Sequence, residues 1–539
     1  MKLAKLLASV ATLSFVTTSV AAAAEPAPAP AAAAIDKTRL KADAVVAVDA
    51  QAKLVQQMVD SVFSFAEPGF QEFQTMEYLT GILAKNGFTI TKGVAGIPTA
   101  WTATWGSGGP LIALGSDVDC LLGTSQTPGV PYLKPLVDGA PGHGEGHNSG
   151  MPLQIAAAIA VKQIMQKNGI KGRLMLWPGV AEELLATKAY YVRDGLFKGV
   201  DANIFTHVSS DFATGWGAGG SNALVSVEYT FHGRTAHAAG DPWDGRSALD
   251  GVEIMDNAWN MRREHLPISQ RSHYVITNGG GQPNVVPDTA SVWYYFRQFG
   301  FQPVRDLFET GNTIAEAAAK ASDTTVTHRI LGYAAPNFGN KPMADAAYAN
   351  IKAVGMPAWS ADDQAFAKAV QTGVQRPLKP LATTIGELNG PYEAKVPTGG
   401  GSDDIGDIMW TVPTITIRYP SNIPNMIGHN KTSAIAMATP IAHKGAVAGA
   451  KAVAMTVIDL MTTPQLIADA KAYQQNVQFK DQKYDPVISA TDTPAIWLNK
   501  EVMDRLRPKM AKYYYDPKKY PTYLDQLGIK YPTLDVATK

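Results

Sequence analysis

A glycine-rich stretch, GAPGHGEGHNSGM at residues 139–151, carries His143, Glu145 and His147 at alternate positions. Imidazole nitrogens and carboxylate oxygens are the protein ligands that zinc and similar divalent cations accept. A glycine loop that contains His and Glu is also an ordinary solvated loop. We therefore treat the stretch as a candidate metal site that needs support from other parts of the chain.

Polar residues also follow the predicted strands. Apolar and β-branched runs predict strands at 111–117, 172–177, 203–208 and 412–419, with helices at about 152–167 and 432–461. The polar residues at or after these strands are Asp117 and Asp119, Glu182 and Glu183, His207, and His429. Ligands of parallel α/β sheets bind beyond the carboxyl ends of the strands. These side chains should therefore converge at one edge, where the loop of Glu145 and His147 also opens.

Five of these residues form a possible set of metal ligands: Glu145, His147, Glu183, His207 and His429. Such a set suits two divalent cations roughly 3.5 to 4 Å apart, bridged by a carboxylate and by an activated water. In the adjacent pair Glu182-Glu183, one carboxylate can bind metal while its neighbour moves the proton. Each residue alone has an ordinary structural interpretation, for example a glutamate pair placed against a helix dipole. Their joint position favours a metal site.

The elements that must position these residues predict an α/β fold. Strands alternate with helices between about residues 40 and 220, which is typical of a mostly parallel sheet flanked by helices. Residues 223–335 then follow a β-α-β-β-α-β order, a unit that can fold as an inserted small domain. We predict a main domain made of residues 41–222 and 336–465, followed by an extension at 466–539 without a clear period.

Composition excludes several classes of partner. The 47 lysines and arginines balance the 47 aspartates and glutamates among 539 residues, so no overall field favours nucleic acid or an anionic membrane. A small molecule is the expected partner. Cys120 is the only cysteine, so no intrachain disulfide can form.

The N-terminus is typical of an exported protein. Residues 1–24 carry two lysines, an apolar stretch and then small residues, as in a signal peptide, and 25–40 form a Pro/Ala-rich tether. A membrane anchor is the alternative interpretation. No later segment has the charge-free length of a spanning helix, so we expect a periplasmic or secreted protein without a stable membrane span after cleavage.

Several motifs occur together in a recognisable order: GHGEGHN, WPGVAEE, FHGRTAHAA, NGGGQPNVVPD and GGGSDDIGD. With them the chain resembles the dinuclear metallo-amidohydrolases of the aminoacylase and carboxypeptidase superfamily. Within that superfamily it is similar to the branch of aminobenzoyl-glutamate hydrolase, hippurate hydrolase and the auxin-conjugate amidohydrolases. The resemblance covers about residues 45–465 and leaves out the N-terminal segment and the extension.

The resemblance implies a role for each matching residue. His147, Glu183, His207 and His429 correspond to metal ligands, Glu182 to the general base, and Asp119 to an acid that orients a ligand. The inserted domain corresponds to a lid and dimerisation domain, which implies a homodimer. In that domain, His237 corresponds to a residue that polarises the substrate carbonyl, often from the partner subunit. Asn284 and Arg297 correspond to positions that contact substrate.

One residue departs from the branch. Glu145 stands where the branch usually has a cysteine, GHGCGHN against GHGEGHN here. More distant relatives bridge their two metals with an aspartate, so Glu145 is a plausible bridging ligand. Oxygen in place of sulfur admits zinc, manganese or cobalt, of which zinc is the first choice. His143 matches a family histidine that is not a ligand.

The predicted function is hydrolysis of an amide bond in an N-acyl or N-aroyl amino acid or small peptide, by metal-activated water and Glu182. Two alternatives remain open from the sequence. One is a degenerate relative that has lost turnover at Glu145 and only binds a small molecule. The other is a hydrolase acting on a different amide or on an ester.

Overall fold

The structure is a computed structural model that describes residues 36–219, 221–392 and 401–536, together with Thr12 and Ser14. The predicted signal segment 1–24 lies outside the described residues except for Thr12 and Ser14, and nearly all of the predicted tether does too. The first helix begins at Lys37, inside the segment 25–40 that the sequence predicted to be a tether.

The main domain begins with helices and then builds a sheet. Its first elements are α1 (Lys37–Asp49), α2 (Ala52–Phe65), α3 (Phe73–Lys85), β1 (Thr89–Lys92), β2 (Trp101–Ser107), β3 (Leu111–Asp117), α4 (Gly150–Asn168), β4 (Gly172–Gly179), α5 (Lys188–Arg193), β5 (Ala202–Ser209) and β6 (Gly215–Ala218). The inserted domain follows with β7 (Ala223–His232), α6 (Ala248–Arg262), β8 (Arg271–Asn278), β9 (Thr289–Gln298), α7 (Phe301–Ala321) and β10 (Thr325–Ala334).

The chain then returns to the main domain and ends in the extension. The returning elements are β11 (Phe338–Gly339), α8 (Lys341–Val354), α9 (Ala361–Gly373), β12 (Asn389–Tyr392), α10 (Ile405–Met409), β13 (Thr414–Pro420), α11 (Lys431–Ala434) and α12 (Pro440–Thr462). The extension forms α13 (Pro464–Tyr473), α14 (Lys500–Met510) and α15 (Tyr523–Gln526).

The central sheet has six strands in the order β1-β2-β4-β3-β5-β13. Strands β4, β3, β5 and β13 run parallel to one another, whereas β2 is antiparallel to both of its neighbours. Strands β3, β4 and β5 are almost completely buried, which is why they read as apolar runs in the sequence. The predicted α/β class is confirmed, and the sheet is mixed.

Helix α12 packs against α4 and α1 and forms part of the core. By length and composition alone it could cross a membrane, but 78% of its most apolar window is buried inside the fold. The prediction of one helix over 432–461 is wrong, because the chain forms α11 and then α12. The break occurs at Pro440, which has no N–H to continue a helix and instead opens α12 in its first turn.

The inserted domain has the predicted β-α-β-β-α-β order. Its antiparallel sheet has the strand order β10-β7-β9-β8, and α6 and α7 pack against it around a separate core with Trp259, Tyr294 and Phe296. Ser247 caps α6 by accepting a hydrogen bond from the Asp250 N–H. Strand β8 lies at the sheet edge and exposes Val275 and Ile276.

The extension packs against the main domain, one of the two possibilities that its composition left open. Arg507 of α14 pairs with the buried carboxylate of Glu67 and donates to the Gln71 carbonyl oxygen at 2.8 Å. At α15, the Tyr523 N–H donates to Asp60 at 2.9 Å. These contacts fix the segment between α2 and α3, which lies behind the loop that carries Glu182, where Gly69 contacts Ala181.

Candidate active site

All five predicted ligands come together at the carboxyl edge of the parallel strands. Their ligand atoms form two groups of three, and within each group the atoms lie within 4.8 Å of one another. One group is Glu145, His147 and His207, and the other is Glu145, Glu183 and His429. Glu145 is the member common to both groups.

The two oxygens of Glu145 face different histidines. Its Oε1 lies 3.2 Å from Nε2 of His207, and its Oε2 lies 2.9 Å from Nε2 of His429. Although burial alone would raise it, hydrogen bonds from His207 and His429 hold the pKa of Glu145 well below its usual value. An ionised carboxylate between two histidines is in the position that a bridging ligand requires.

Gly146 allows the loop to carry Glu145 and His147 so close to the sheet. Its φ is +118°, a conformation that L side chains rarely adopt. A Cβ at this position would also come within 2.4 Å of Met437 Sδ. The glycine between the two ligands is therefore required by the backbone and by the space around it.

The pair Glu182-Glu183 occupies a sharp turn after β4. Ala181 and Leu185, on either side of the turn, both have left-handed backbone, with φ of 52° and 51°. His429 also has positive φ, at 54°. Non-glycine residues in this region cost roughly 1 kcal/mol or more each, and such strain concentrates at functional sites.

The turn sends the two carboxylates in different directions. Glu183 lies 3.8 Å from Nδ1 of His147 and 3.6 Å from Nε2 of His429. Glu182 approaches His147 on its other nitrogen, with 4.0 Å between Glu182 Oε2 and Nε2. Glu183 is thus among the ligands, and Glu182 stands beside them.

Unpartnered buried atoms test whether these residues fit a metal ion. Both ring nitrogens of His147 and Oε1 of Glu183 are buried without a hydrogen-bond partner among the described residues. Such atoms are costly unless something else satisfies them. A divalent cation would do so, and a donor set of imidazole nitrogen and carboxylate oxygen suits zinc, manganese or cobalt. The residues present therefore fit the metal centre that the sequence predicted.

Residues behind the ligands fix their orientation. Nδ1 of His207 donates to the Val208 carbonyl oxygen at 2.9 Å, which leaves the Nε2 lone pair free to bind metal. Arg418 Nη1 lies 3.2 Å from the same Nδ1, but a guanidinium only donates, so this contact is not a hydrogen bond in that tautomer. Asp119 accepts from the Glu183 N–H at 3.1 Å and lies 3.7 Å from Nδ1 of His147, as expected for an orienting acid.

The surroundings of Glu182 suit proton transfer. Burial raises the pKa of Glu182 well above its usual range, and the charges of Asp117 and Asp403 raise it further while Lys188 opposes them. A carboxylate with a raised pKa takes and holds a proton more readily, which a general base needs.

Lys188 is a completely buried cation behind this carboxylate. It pairs with Asp117 at 2.7 Å and with Asp404, which also accepts from the Lys188 N–H at 3.1 Å. No local pattern indicates that this lysine is buried, because its two partners lie far from it along the chain.

A cavity of about 240 Å³ opens over the cluster. Its wall includes Glu145, Glu182, Glu183, His207, His429, Arg297 and Arg418. Arg297 reaches it from β9 of the inserted domain, as the resemblance implied. Sequence reasoning missed Arg418, although it lies near the end of the same strand that precedes His429.

Two predicted substrate residues lie elsewhere in the single chain. His237 and Asn284 are exposed on the inserted domain and do not line this cavity. Nδ1 of His237 accepts from the N–H groups of Ala239 and Gly240 at 3.1 and 2.9 Å, which leaves Nε2–H as its free donor. His143 is buried and donates to the Val62 carbonyl oxygen at 3.1 Å, and burial lowers its pKa to about 3. His143 is therefore a neutral structural residue.

Comparison with known proteins places the chain in a family. Residues 220–323 match the peptidase dimerisation domain of M20 proteins. One of the two p-aminobenzoyl-glutamate hydrolase polypeptides of Escherichia coli strain K12 is 33% identical, over 83% of this chain and 97% of its own length. The chain belongs to the M20 peptidase family.

More distant similarities agree with this placement. The Xaa-Arg dipeptidase of Mus musculus is 25% identical, over 79% of this chain and 90% of its own length. A solved structure from methicillin-resistant Staphylococcus aureus has a TM-score of 0.54 and 15% identity, covering 78% of this chain and 100% of that one. This structural likeness concerns the fold alone. As an M20 family member, the protein is a metal-dependent amidohydrolase, which confirms the enzyme class predicted from the motifs.

Proposed function

We propose that this M20 enzyme hydrolyses the amide bond of an N-aroyl or N-acyl amino acid, with p-aminobenzoyl-glutamate as the first candidate substrate. The observation that carries the proposal is the pair of ligand groups that share Glu145, with Glu182 beside them in one cavity. The Escherichia coli relative is named for p-aminobenzoyl-glutamate, and the mouse relative for peptides that end in arginine. The former is the more similar of the two.

We assign the two cations, with zinc as the first choice, to the two ligand groups. Glu145, His147 and His207 would hold one ion, and Glu145, Glu183 and His429 the other. When bound, such a pair supplies a polarising charge at the scissile carbonyl and lowers the pKa of water.

The chain's own residues carry the proton and hold the substrate. Glu182 accepts a proton from the attacking water and passes it to the amine nitrogen as the amide bond breaks. Arg297 binds the α-carboxylate of the amino-acid half through its guanidinium. Asp119 and the Val208 carbonyl keep Glu183 and His207 in their binding orientation.

A substrate panel tests the proposal. We expect the metal-loaded protein to hydrolyse p-aminobenzoyl-glutamate, measured as release of p-aminobenzoate, and to lose that activity when a chelator removes the metal. The panel also contains N-acetyl and N-benzoyl amino acids, dipeptides that end in arginine, and simple esters. Turnover of esters alone would reassign the substrate class, and turnover of none would point to a metal-dependent binding protein.

We propose that the oxyanion donor comes from a second copy of the chain. His237 is exposed and has a free Nε2–H, and the dimerisation domain that carries it has an open edge strand, β8, with apolar residues at its surface. Pairing of two such edges would form a homodimer and bring the partner subunit's His237 to the substrate carbonyl.

Mixing two inactive variants tests this transfer between subunits. His237→Ala and Glu182→Gln should each be inactive with metal content unchanged. After mixing and subunit exchange, each heterodimer would contain one intact site, so activity should return toward about a quarter of the wild-type value when half of the dimers are mixed. Failure to recover activity despite proven exchange would mean that His237 does not act across the interface.

We also propose export of the enzyme, on the basis of the signal-like residues 1–24 and the single cysteine. The mass of the mature protein from its native host tests this proposal. A mass that still includes residues 1–24 would contradict it.

A further inference from the structure

Two arginines without an acidic partner line the cavity over the ligands. Arg297 and Arg418 both contribute to its wall, and among the described residues neither guanidinium forms an ion pair with a carboxylate. Nε of Arg297 is buried with no hydrogen-bond partner there. By contrast, Arg246 and Arg305 on other parts of the chain pair with Asp323 and Asp485. Unpaired guanidiniums in a cavity are suited to an anionic ligand.

The two arginines reach the cavity from different domains. Arg297 lies on β9 of the inserted domain, with its guanidinium 5.3 Å from the ring centre of Tyr295. Arg418 lies on β13 of the main domain, directly opposite His207 on β5. A ligand with two separate negative groups could therefore contact both arginines while its amide bond faces the ligand cluster.

The backbone of Arg418 is held firmly. Its N–H donates to the Ala213 carbonyl oxygen at 2.8 Å, and its own carbonyl accepts from the Ala213 N–H at 2.9 Å. The side chain lies beside His207 but forms no hydrogen bond that the Val208-bonded tautomer of that histidine permits. The guanidinium is therefore available to a ligand at a defined distance from the metal ligands.

A second space continues the cavity beyond Arg418. It has a volume of about 280 Å³ and shares Arg418, Asn337 and Asp403 with the first. The rest of its wall is mostly small or polar and includes Thr214, Gly215, Gly339, Asn389 and Thr416.

Asp403 is the acidic group shared by the two spaces, and its carboxylate already has other partners. Its Oδ1 accepts from the Ile405 N–H at 2.9 Å and lies 3.9 Å from the buried Lys188 ammonium. This arrangement leaves Arg418 as the cation that an entering side chain would meet.

We propose that Arg418 is a specificity-determining residue that binds the side-chain carboxylate of an acidic amino acid in the substrate. Arg297 then binds the α-carboxylate, so the enzyme recognises the amino-acid half as a dicarboxylate. This inference rests on the proposed amidohydrolase function and narrows its substrate class to N-acyl or N-aroyl conjugates of glutamate or aspartate. A hydrogen bond to a charged group contributes about 1.5 to 3 kcal/mol, which corresponds to roughly a 10- to 150-fold preference in kcat/KM.

Two substrates of the same shape test the proposal. N-(4-aminobenzoyl)-glutamate and N-(4-aminobenzoyl)-glutamine differ only in the charge and hydrogen-bonding character of the side-chain end. The wild-type enzyme should prefer the glutamate compound by roughly 10- to 150-fold in kcat/KM. In Arg418→Gln most of that preference should disappear, because the glutamate compound loses kcat/KM while the glutamine compound loses far less.

Two controls separate specificity from a structural effect. Metal content of Arg418→Gln should equal that of the wild type, which excludes an effect through His207. Lys368→Gln removes one exposed positive charge from α9 outside the cavity, and it should leave the preference unchanged.

The possible outcomes distinguish this inference from the proposed function. An equal loss for both substrates in Arg418→Gln, or an unchanged preference, would overturn the role of Arg418. Wild-type enzyme that cleaves neutral or arginine conjugates better than glutamate conjugates would overturn the dicarboxylate inference and leave the amidohydrolase standing. Metal-loaded wild type that cleaves none of these amides would instead remove the proposed function itself.

Discussion

Glu182→Gln should retain the wild-type metal content and lose roughly 10²- to 10⁴-fold in kcat, the usual contribution of a positioned general base. Glutamine keeps the size of the side chain but cannot accept a proton from water. The substitution should be tolerated by the fold, because burial already disfavours the ionised form of Glu182. The measurement is kcat on p-aminobenzoyl-glutamate, together with metal analysis of the same sample.

The control for this experiment is Glu77→Gln, which changes an exposed glutamate on α3 that pairs only with Lys92. It should retain full activity. An active Glu182→Gln enzyme would remove Glu182 from the role of base. Loss of metal would instead make it a ligand, which is geometrically conceivable because Glu182 also lies near His147 and Asp117.

Glu145→Ala should lose at least one metal ion per chain, and activity with it. Glu145 is the only residue that belongs to both ligand groups among the described residues, and its two oxygens face His207 and His429. Its removal takes one ligand from each ion and leaves the two cations without the negative charge between them. Elemental analysis after removal of free metal gives the stoichiometry directly.

Two further variants make this result interpretable. Glu145→Cys introduces the thiolate that the resembling branch carries at this position, and it should restore metal binding if the position bridges. His265→Ala changes an exposed histidine of the inserted domain and should leave the stoichiometry unchanged. Full occupancy by two ions in a folded Glu145→Ala protein would refute the bridging role.

Much of the site could be predicted because its residues lie at the ends of strongly patterned strands. Strand β3 was predicted with its observed bounds, and β4 and β5 differ by only a few residues. Burial on both faces makes such strands continuously apolar, so the polar residue that ends each one is conspicuous. His207 and the Glu182-Glu183 turn were found in this way.

Other features depend on contacts between distant parts of the chain. Lys188 is buried because Asp117 and Asp404 neutralise it, and neither lies near it in sequence. Arg418 acquires its position from the register of β13 with β5, which no local pattern shows. The extension looked irregular because its short helices are stabilised by packing, through contacts such as that of Arg507 with Glu67. The positions of His237 and Asn284 relative to the substrate involve a second subunit.

The most direct test of the metal centre is anomalous diffraction from a crystal of the zinc-loaded protein, recorded on both sides of the zinc absorption edge. We predict two peaks in each chain, roughly 3.5 to 4 Å apart. One should lie among Glu145, His147 and His207, the other among Glu145, Glu183 and His429, with the Glu145 carboxylate between them. A single peak, or two peaks that do not share Glu145, would contradict the account.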